Sequence, residues 1–554
     1  MRLLYLYFDC PLDLSPDEGH YWDWSRHLDW SYYSKGPVVA YLIRASCAVF
    51  GEQMWAVRLP AILCGSLTLW GIFALTRRVY GNSRLSLGVV ALALTLPAMA
   101  AGSLLMTIDA PYVCCWTWAL VIAQSIFAAS GGRQPPDDSP DSEPVAGNQG
   151  ADAPRWPLWI VLGLLIGIGI LAKYTMVLFI PSVALFLLTS TTHRRELMRP
   201  GFWIMVLTVA VCCLPILVWN AQHDWVTLRH VGRQAGVMTS ENIAADPGFP
   251  TFRWIWPVEY LGGQIGLLLG FWFVAWLVVM VRTAGLSFGC HAFAANRGPS
   301  RNPETAGAAK ACHASICKED MRFLWWLSAP MFLMFLGFSF KTRIEVNWPI
   351  TAYLSGMVLM AGWLSQSWRA SRVTRFAIVG FALFGLAGTT LIHHTEWLYP
   401  LHDRLAPDTN PRRWDATCRL RGFQTLAAEV DRLRDELIAT GDEPLIAGGN
   451  WNLPGILAFY LPEHPTVYSF GLAAGGRHSQ YDFWRPNPTS DPADFRGKAV
   501  IYIGEVVPGV TAGFESVGPT QMVTHSVAGH AVATWPVTVL RGFKGFPRLH
   551  AAGH

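Results

Sequence analysis

Long apolar runs joined by short polar connections fill the first 392 residues, and the pattern changes after Ile392 to apolar residues spaced among Asp, Glu and Arg. A segment crossing a hydrocarbon core about 30 Å thick needs roughly 17 to 25 mostly apolar residues, and it must be helical because its backbone groups find no water there. Spans are therefore expected at residues 54–75, 85–105, 111–129, 156–171, 175–189, 202–219, 263–281, 323–340, 349–364 and 376–392. Residues 1–8 are apolar but too short to cross and lack the anatomy of a signal peptide, which implies a truncated first helix or a misplaced start. The stretch 36–50 is apolar with Arg44 inside it, a pattern that suits a helix lying in the interface.

Basic residues of short loops mark the cytoplasmic side of a membrane protein, so the connections test this assignment independently. Arg77, Arg78 and Arg84 follow the first span; Arg133 and Arg155 bound a later loop; His193, Arg194, Arg195 and Arg199 follow the fifth. Residues 282–322 supply another basic loop, and Arg369, Arg372 and Arg375 the last. Every second loop is basic, as alternation requires. The loops holding Asp109, Lys173, residues 219–262 and residues 341–347 are then expected to face outward.

Composition supports the membrane reading. The 554 residues are 52% hydrophobic and only 14% charged, against roughly a quarter charged in an ordinary soluble domain. A net charge of +4 is small for this length and argues against nucleic acid as a partner. Among the 11 cysteines, Cys47, Cys64, Cys114, Cys115, Cys212 and Cys213 lie in apolar stretches, as small buried hydrophobes rather than a disulfide framework. Cys312, His313 and Cys317 lack a second ligand pair at zinc spacing, so no metal site is expected.

The expected architecture is an α-helical polytopic membrane protein of about 10 to 11 transmembrane helices with a small α/β soluble domain. Residues 1–392 form the membrane domain, with an outward loop at 9–53 and cytoplasmic linkers at 131–155 and 283–322, whose Gly, Pro, Ser and Asp content predicts disorder over 131–155 and 289–318. Residues 393–554 form the extracytoplasmic domain. There the spacing at 423–439 predicts an amphipathic helix, and 445–447, 467–470 and 499–503 read as short strands.

Candidate chemistry gathers on the outward side. Residues 15–42 concentrate Asp17, Glu18, His20, Asp23 and Lys35 among Trp and Tyr, a composition that fits an interfacial aromatic belt as well as a catalytic site. Asp109 stands at the outward end of one span, before the Pro that opens the next, where a charge is costly and points to function, although it could also cap that helix. Lys173, Lys341 and Arg343 are cations at outward span ends; each could snorkel, and with Lys35 they could hold an anionic headgroup.

These residues lie in a series of motifs: DE followed by YW, YYSKGP, TIDAP, ILAKYT, WNAQHDW, YLGGQ and KTRIEVNWP, then AFYLPEHPTVY and GRHSQYDFW in the tail. In this order they resemble the bacterial members of the protein mannosyltransferase and aminoarabinose transferase superfamily, the GT-C glycosyltransferases. The resemblance implies a multi-span enzyme of a bacterial cytoplasmic membrane that takes a sugar from a polyprenyl-phosphate carrier at the outer face, inverting its anomeric carbon. It places Asp17 on the family's catalytic aspartate, with Glu18 beside it, Asp109 on a second essential acid and Lys35 on the lysine that contacts the carrier phosphate. Gly36 departs from the proline more usual after that lysine.

The chemistry fits those assignments. A carboxylate taking the acceptor proton typically contributes about 10²- to 10⁴-fold, a role for Asp17. Departing phosphate builds charge that fixed cations stabilise, Lys35 first and Lys341 and Arg343 after it. Such a leaving group needs no metal, so no cofactor is expected. The partners expected are the polyprenyl-phosphate sugar, membrane lipids and an acceptor on protein, lipid A or glycan. A secondary transporter or an envelope-assembly scaffold is the alternative, but transporters place binding groups at the midplane on broken helices in inverted repeats, whereas these acids sit at span ends. The expectation in space is that Asp17 and Asp109 meet in one outward pocket lined by Lys35.

Overall fold

The computed structural model describes residues 2–130, 156–234, 253–287 and 318–546. The linker 131–155, the stretch 289–317 with Cys312, His313 and Cys317, and much of the loop 222–259 lie outside the described residues. The chain divides into two compact units: Met1–Ile62 with Leu104–Thr107 and Gly388–His554, and Leu63–Ser103 with Ile108–Ala387.

Among the described residues, five helices are long and apolar enough to cross a membrane: Met54–Tyr80, Asp109–Ala129, Pro200–Gln222, Lys318–Ser339 and Arg372–His393. A sixth crossing arises if the bent pair Ile255–Leu267 and Phe271–Gly285 is one span, and Val38–Phe50, Ser83–Leu94, Trp156–Ala172 and Tyr174–Thr189 are shorter apolar helices. The polytopic helical architecture matches expectation, but several expected continuous spans are interrupted. Residues 85–105 split into helices Ser83–Leu94 and Pro97–Gly102, because Pro97 has no N–H to donate and the preceding Leu96 is driven to extended backbone. Residues 263–281 are not one straight helix: Leu269 and Gly270 both adopt positive φ, and the chain turns by 109° between the flanking helices. The expected span 349–364 is shifted, running as a helix from Ala352 to Ala370.

The carboxy-terminal part contains a five-stranded sheet of β1 (Leu445–Gly448), β2 (Val467–Ser469), β3 (Val500–Ile503), β4 (Phe514–Val527) and β5 (His530–Phe543), ordered β2-β1-β3-β5-β4. β1 runs parallel to β2 and β3, pairing Ile446 with Val467 and Ile501, while β5 is antiparallel to β3 and β4. The expected helix forms over Phe423–Ala439 and buries Phe423, Leu426, Ala427, Val430 and Leu437, the i, i+3, i+4, i+7 stripe of an amphipathic helix. Phe470, Tyr502, Phe514, Leu540, Phe543 and Phe546 form the apolar core of the sheet.

The amino-terminal residues belong to this same unit. Asp13 is buried and its carboxylate accepts from the Phe423 amide and the Gln424 side chain, both at 2.7 Å. Helix Pro16–Arg26 crosses helix Pro454–Tyr460 at a glycine pair: a Cβ on Gly455 would lie 2.3 Å from the Gly19 carbonyl oxygen, and one on Gly19 would lie 2.7 Å from the Ile456 Cα. Only hydrogen at both positions lets the two backbones touch, and Trp22 then packs edge-on against Phe459.

Candidate functional site

Asp17, Glu18 and Lys35 belong to the first unit, and Asp109, Lys173, Lys341 and Arg343 to the second. In the first unit Ser15 caps helix Pro16–Arg26 through a capping box: the Glu18 amide donates to the Ser15 hydroxyl at 3.1 Å and the Ser15 amide to the Glu18 carboxylate at 2.8 Å. Pro16 fills the first helical position, and Asp17 and Glu18 follow in the turn where the helix dipole favours acids.

The two acids have opposite surroundings. Asp17 is exposed. Glu18 is fully buried and receives two bonds from the Arg58 guanidinium, both at 2.9 Å, plus the Met106 amide at 2.8 Å. Arg58 is equally buried and also donates to the carbonyl of Asp13, so the pair ties the start of this helix to neighbouring backbone on two sides. A carboxylate so fully engaged fixes the turn that bears Asp17. Lys35 is half-buried in a turn closed by the Tyr32 amide donating to its carbonyl at 3.1 Å.

The rest of the helix is polar in composition and yet buried. Trp24 stacks on Tyr32 with centroids 4.2 Å apart. His20 sits 3.1 Å from the Tyr481 hydroxyl and edge-on to Trp451. Burial, helped by the positive charge of Arg477, pushes the His20 imidazole down to about 3, so it is neutral at physiological pH. Burial likewise raises the Asp23 carboxyl above its ordinary range.

In the second unit Asp109 opens helix Asp109–Ser130. The Lys173 ammonium donates to one of its oxygens at 2.6 Å and the Asn347 amide to the other at 2.7 Å. Lys173 follows directly on helix Trp156–Ala172 in extended backbone, with its ammonium 5.4 Å from the centroid of the Tyr112 ring, and Tyr112 bonds Thr351 at 2.9 Å. Three separate chain segments thus converge on one carboxylate. Arg343 pairs with Glu259 at 3.1 Å, largely in the open, and Lys341 is exposed.

Two residues of these clusters escaped the sequence reading. Arg58 was visible as a lone cation inside the apolar run 54–75, the kind of charge that must be paired when buried. Asn347 lies in the KTRIEVNWP motif, but an amide next to Trp gives no signal of its own.

The family model described as dolichyl-phosphate-mannose-protein mannosyltransferase matches residues 34–131 and 147–219. The chain is 27% identical over 506 residues to the lipid A galacturonosyltransferase RgtD of Rhizobium johnstonii, covering 90% of this chain and 88% of that protein. It is 28% identical over 196 residues to the undecaprenyl phosphate-alpha-4-amino-4-deoxy-L-arabinose arabinosyl transferase of Pseudomonas aeruginosa, covering 35% of this chain and 32% of that protein. In fold it is similar to ArnT from Cupriavidus metallidurans bound to undecaprenyl phosphate, with a TM-score of 0.53 at 15% identity over 97% of this chain and 96% of that one. The motif series, the apolar helices with their small sheet domain and these relatives converge: the chain is a glycosyltransferase that is similar to the bacterial protein mannosyltransferase and aminoarabinose transferase superfamily.

Proposed function

We propose that this enzyme transfers a sugar from a polyprenyl-phosphate carrier to a hydroxyl or phosphate of lipid A at the outer face of a bacterial cytoplasmic membrane, with inversion at the anomeric carbon. The observation that carries this reading is the exposed carboxylate of Asp17 on a helix turn fixed from behind by the buried Glu18–Arg58 pair. The similarity to a lipid A galacturonosyltransferase along most of both chains supports the acceptor class.

In the step, the acceptor oxygen bonds to the anomeric carbon as the bond from that carbon to the phosphate oxygen breaks. The electron pair leaves on the polyprenyl phosphate, and the acceptor proton passes to Asp17. Lys35 is assigned to the departing phosphate, with Lys341 and Arg343 as further cations for anionic headgroups. Asp109, held by Lys173 and Asn347, is assigned to the positive character that develops on the sugar. Glu18 is a positioning residue.

The test is transfer by the purified protein in lipid nanodiscs, with labelled sugar presented either on undecaprenyl phosphate or on a nucleotide and with lipid A as acceptor. Label is expected on lipid A from the lipid-linked donor alone, with the anomeric configuration of the product opposite to that of the donor. Transfer from the nucleotide sugar, or retention of configuration, would overturn the reading.

A further inference from the structure

The sheet domain carries a feature that the transfer step does not use. In a sheet with parallel strands, ligands bind outside the carboxyl ends of the strands where the connections part to opposite sides. Here that point lies at the end of β1, which has β2 on one side and β3 on the other. Three loops meet there. The Gly449 amide donates to the Ile503 carbonyl at 2.8 Å, joining the loop after β1 to the end of β3. The Phe470 amide donates to the Gly448 carbonyl at 2.8 Å, and the Gly476 amide to the Gly471 carbonyl at 2.7 Å folds the loop after β2 back on itself.

The side chains on these loops set an aromatic ring beside amides and a guanidinium. Trp451 is half-buried, and the exposed Arg477 sets its guanidinium 5.2 Å from the centroid of that indole. Asn450 is exposed, with its side-chain oxygen taking the Asn452 amide at 3.2 Å, and Asn452 is half-buried beside it. Exposed His478 follows Arg477, facing Asp482 at 3.9 Å, and exposed Glu505 stands on the loop after β3. An indole face, amide side chains and a guanidinium are the groups that bind a sugar ring and an attached anion: the ring's C–H face packs on the aromatic, amides take hydroxyls, and Arg takes phosphate or carboxylate.

The position of these loops adds to their chemistry. The Trp451 ring lies 5.2 Å from the ring of His20 in a T-shaped contact, and His20 stands one helical turn beyond Asp17 on the same helix. That helix is locked to the one following Trp451 by the Gly19–Gly455 crossing. The GGNWN loop and the turn bearing Asp17 are therefore joined through packed elements of the first unit.

We infer that Trp451, Arg477, Asn450 and Asn452 form an acceptor subsite that grips an anionic saccharide, holding the acceptor while its hydroxyl or phosphate is presented to Asp17. This rests on the glycosyl-transfer reading above. It gives the sheet domain a part in choosing the acceptor.

The test uses the full chain in nanodiscs with lipid A as acceptor, comparing wild type with Trp451→Ala, Arg477→Ala, Arg477→Lys and, as a surface control, Arg432→Ala. The acceptor KM is expected to rise at least tenfold for Trp451→Ala and Arg477→Ala, with kcat at saturating acceptor falling less than threefold and Arg477→Lys recovering part of the loss. Glucosamine 1-phosphate is expected to inhibit the wild type competitively against lipid A, and glucosamine not to. Inhibition by lipid A analogues alone, with none by the soluble sugar phosphate, would place recognition in the acyl chains and overturn the subsite. An acceptor KM within twofold of wild type in both alanine variants would also overturn it. A wild type inactive with every lipid-linked sugar would instead sink the transfer reading beneath it.

Discussion

The Glu18–Arg58 pair is the most consequential contact in the first unit, and its removal has a calculable effect. Both side chains are fully buried, and their two 2.9 Å bonds are the means by which the guanidinium charge is tolerated away from water. Glu18→Gln keeps the shape but leaves that cation uncompensated, a change that costs about 3–5 kcal/mol for a buried pair. For a folding unit of this size each kcal/mol lowers the melting temperature by about 2–4 °C, so a drop on the order of 10 °C is expected. Arg58→Met, which strands the Glu18 carboxylate instead, should be about as damaging. The double variant Glu18→Leu with Arg58→Met replaces both charges by apolar groups and should recover more than half of the loss, though not all, because the Ser15 and Met106 amides lose their acceptor. Thermal unfolding in detergent, followed by intrinsic fluorescence, measures all three. A double variant as unstable as the sum of the singles would show that the two charges are not coupled and that this account of the Asp17 turn is mistaken.

Other outcomes follow from the same geometry. Lys173→Met removes a charge-assisted bond to Asp109, worth about 1.5–3 kcal/mol, and should slow transfer by about 10- to 100-fold in a single-turnover assay, with Lys173→Arg recovering part of the rate. Gly455→Val forces atoms into the Gly19 carbonyl and should destabilise the first unit by about 1–3 kcal/mol, read as an earlier unfolding transition; wild-type stability would contradict the crossing. His20 binds its proton near pH 6.5 when unfolded but near 3 when folded, so its contribution to stability is complete above about pH 6.5 and declines as pH falls toward 3, by about 1.4 kcal/mol per pH unit. His20→Gln should flatten the loss of melting temperature between about pH 6.5 and 5.

Sequence reading reached the membrane class, the amphipathic helix at 423–439 and the three short strands, because each of these is written in local periodicity, while the family resemblance rested on the ordered motifs. The long hairpin of β4 and β5 escaped it. Half of β4 is Ser, Thr, Gln, His and Gly, with little apolar alternation, and the Ala528–Gly529 turn lacks the usual Asn or Asp signal even though both residues take positive φ there. The bend at Leu269–Gly270 was hidden inside an unbroken apolar run, where hydropathy reports burial in lipid but not direction. Within the clusters of acids and cations the residue types were legible, since a carboxylate or ammonium in an apolar chain stands out. Their partners were not: Arg58 lies 40 residues from Glu18, and Asn347 lies 238 from Asp109, and no local pattern joins them.

The most direct measurement is the single-turnover rate of sugar transfer from undecaprenyl phosphate by Asp17→Asn, with its melting temperature recorded alongside. Asp17 is exposed and the turn that bears it is fixed by Glu18 and Arg58, so the variant should melt within about 2 °C of wild type while transfer falls by about 10²- to 10⁴-fold, the contribution of a proton-accepting carboxylate. Transfer at the wild-type rate by the folded variant would contradict the assignment of Asp17 as the base.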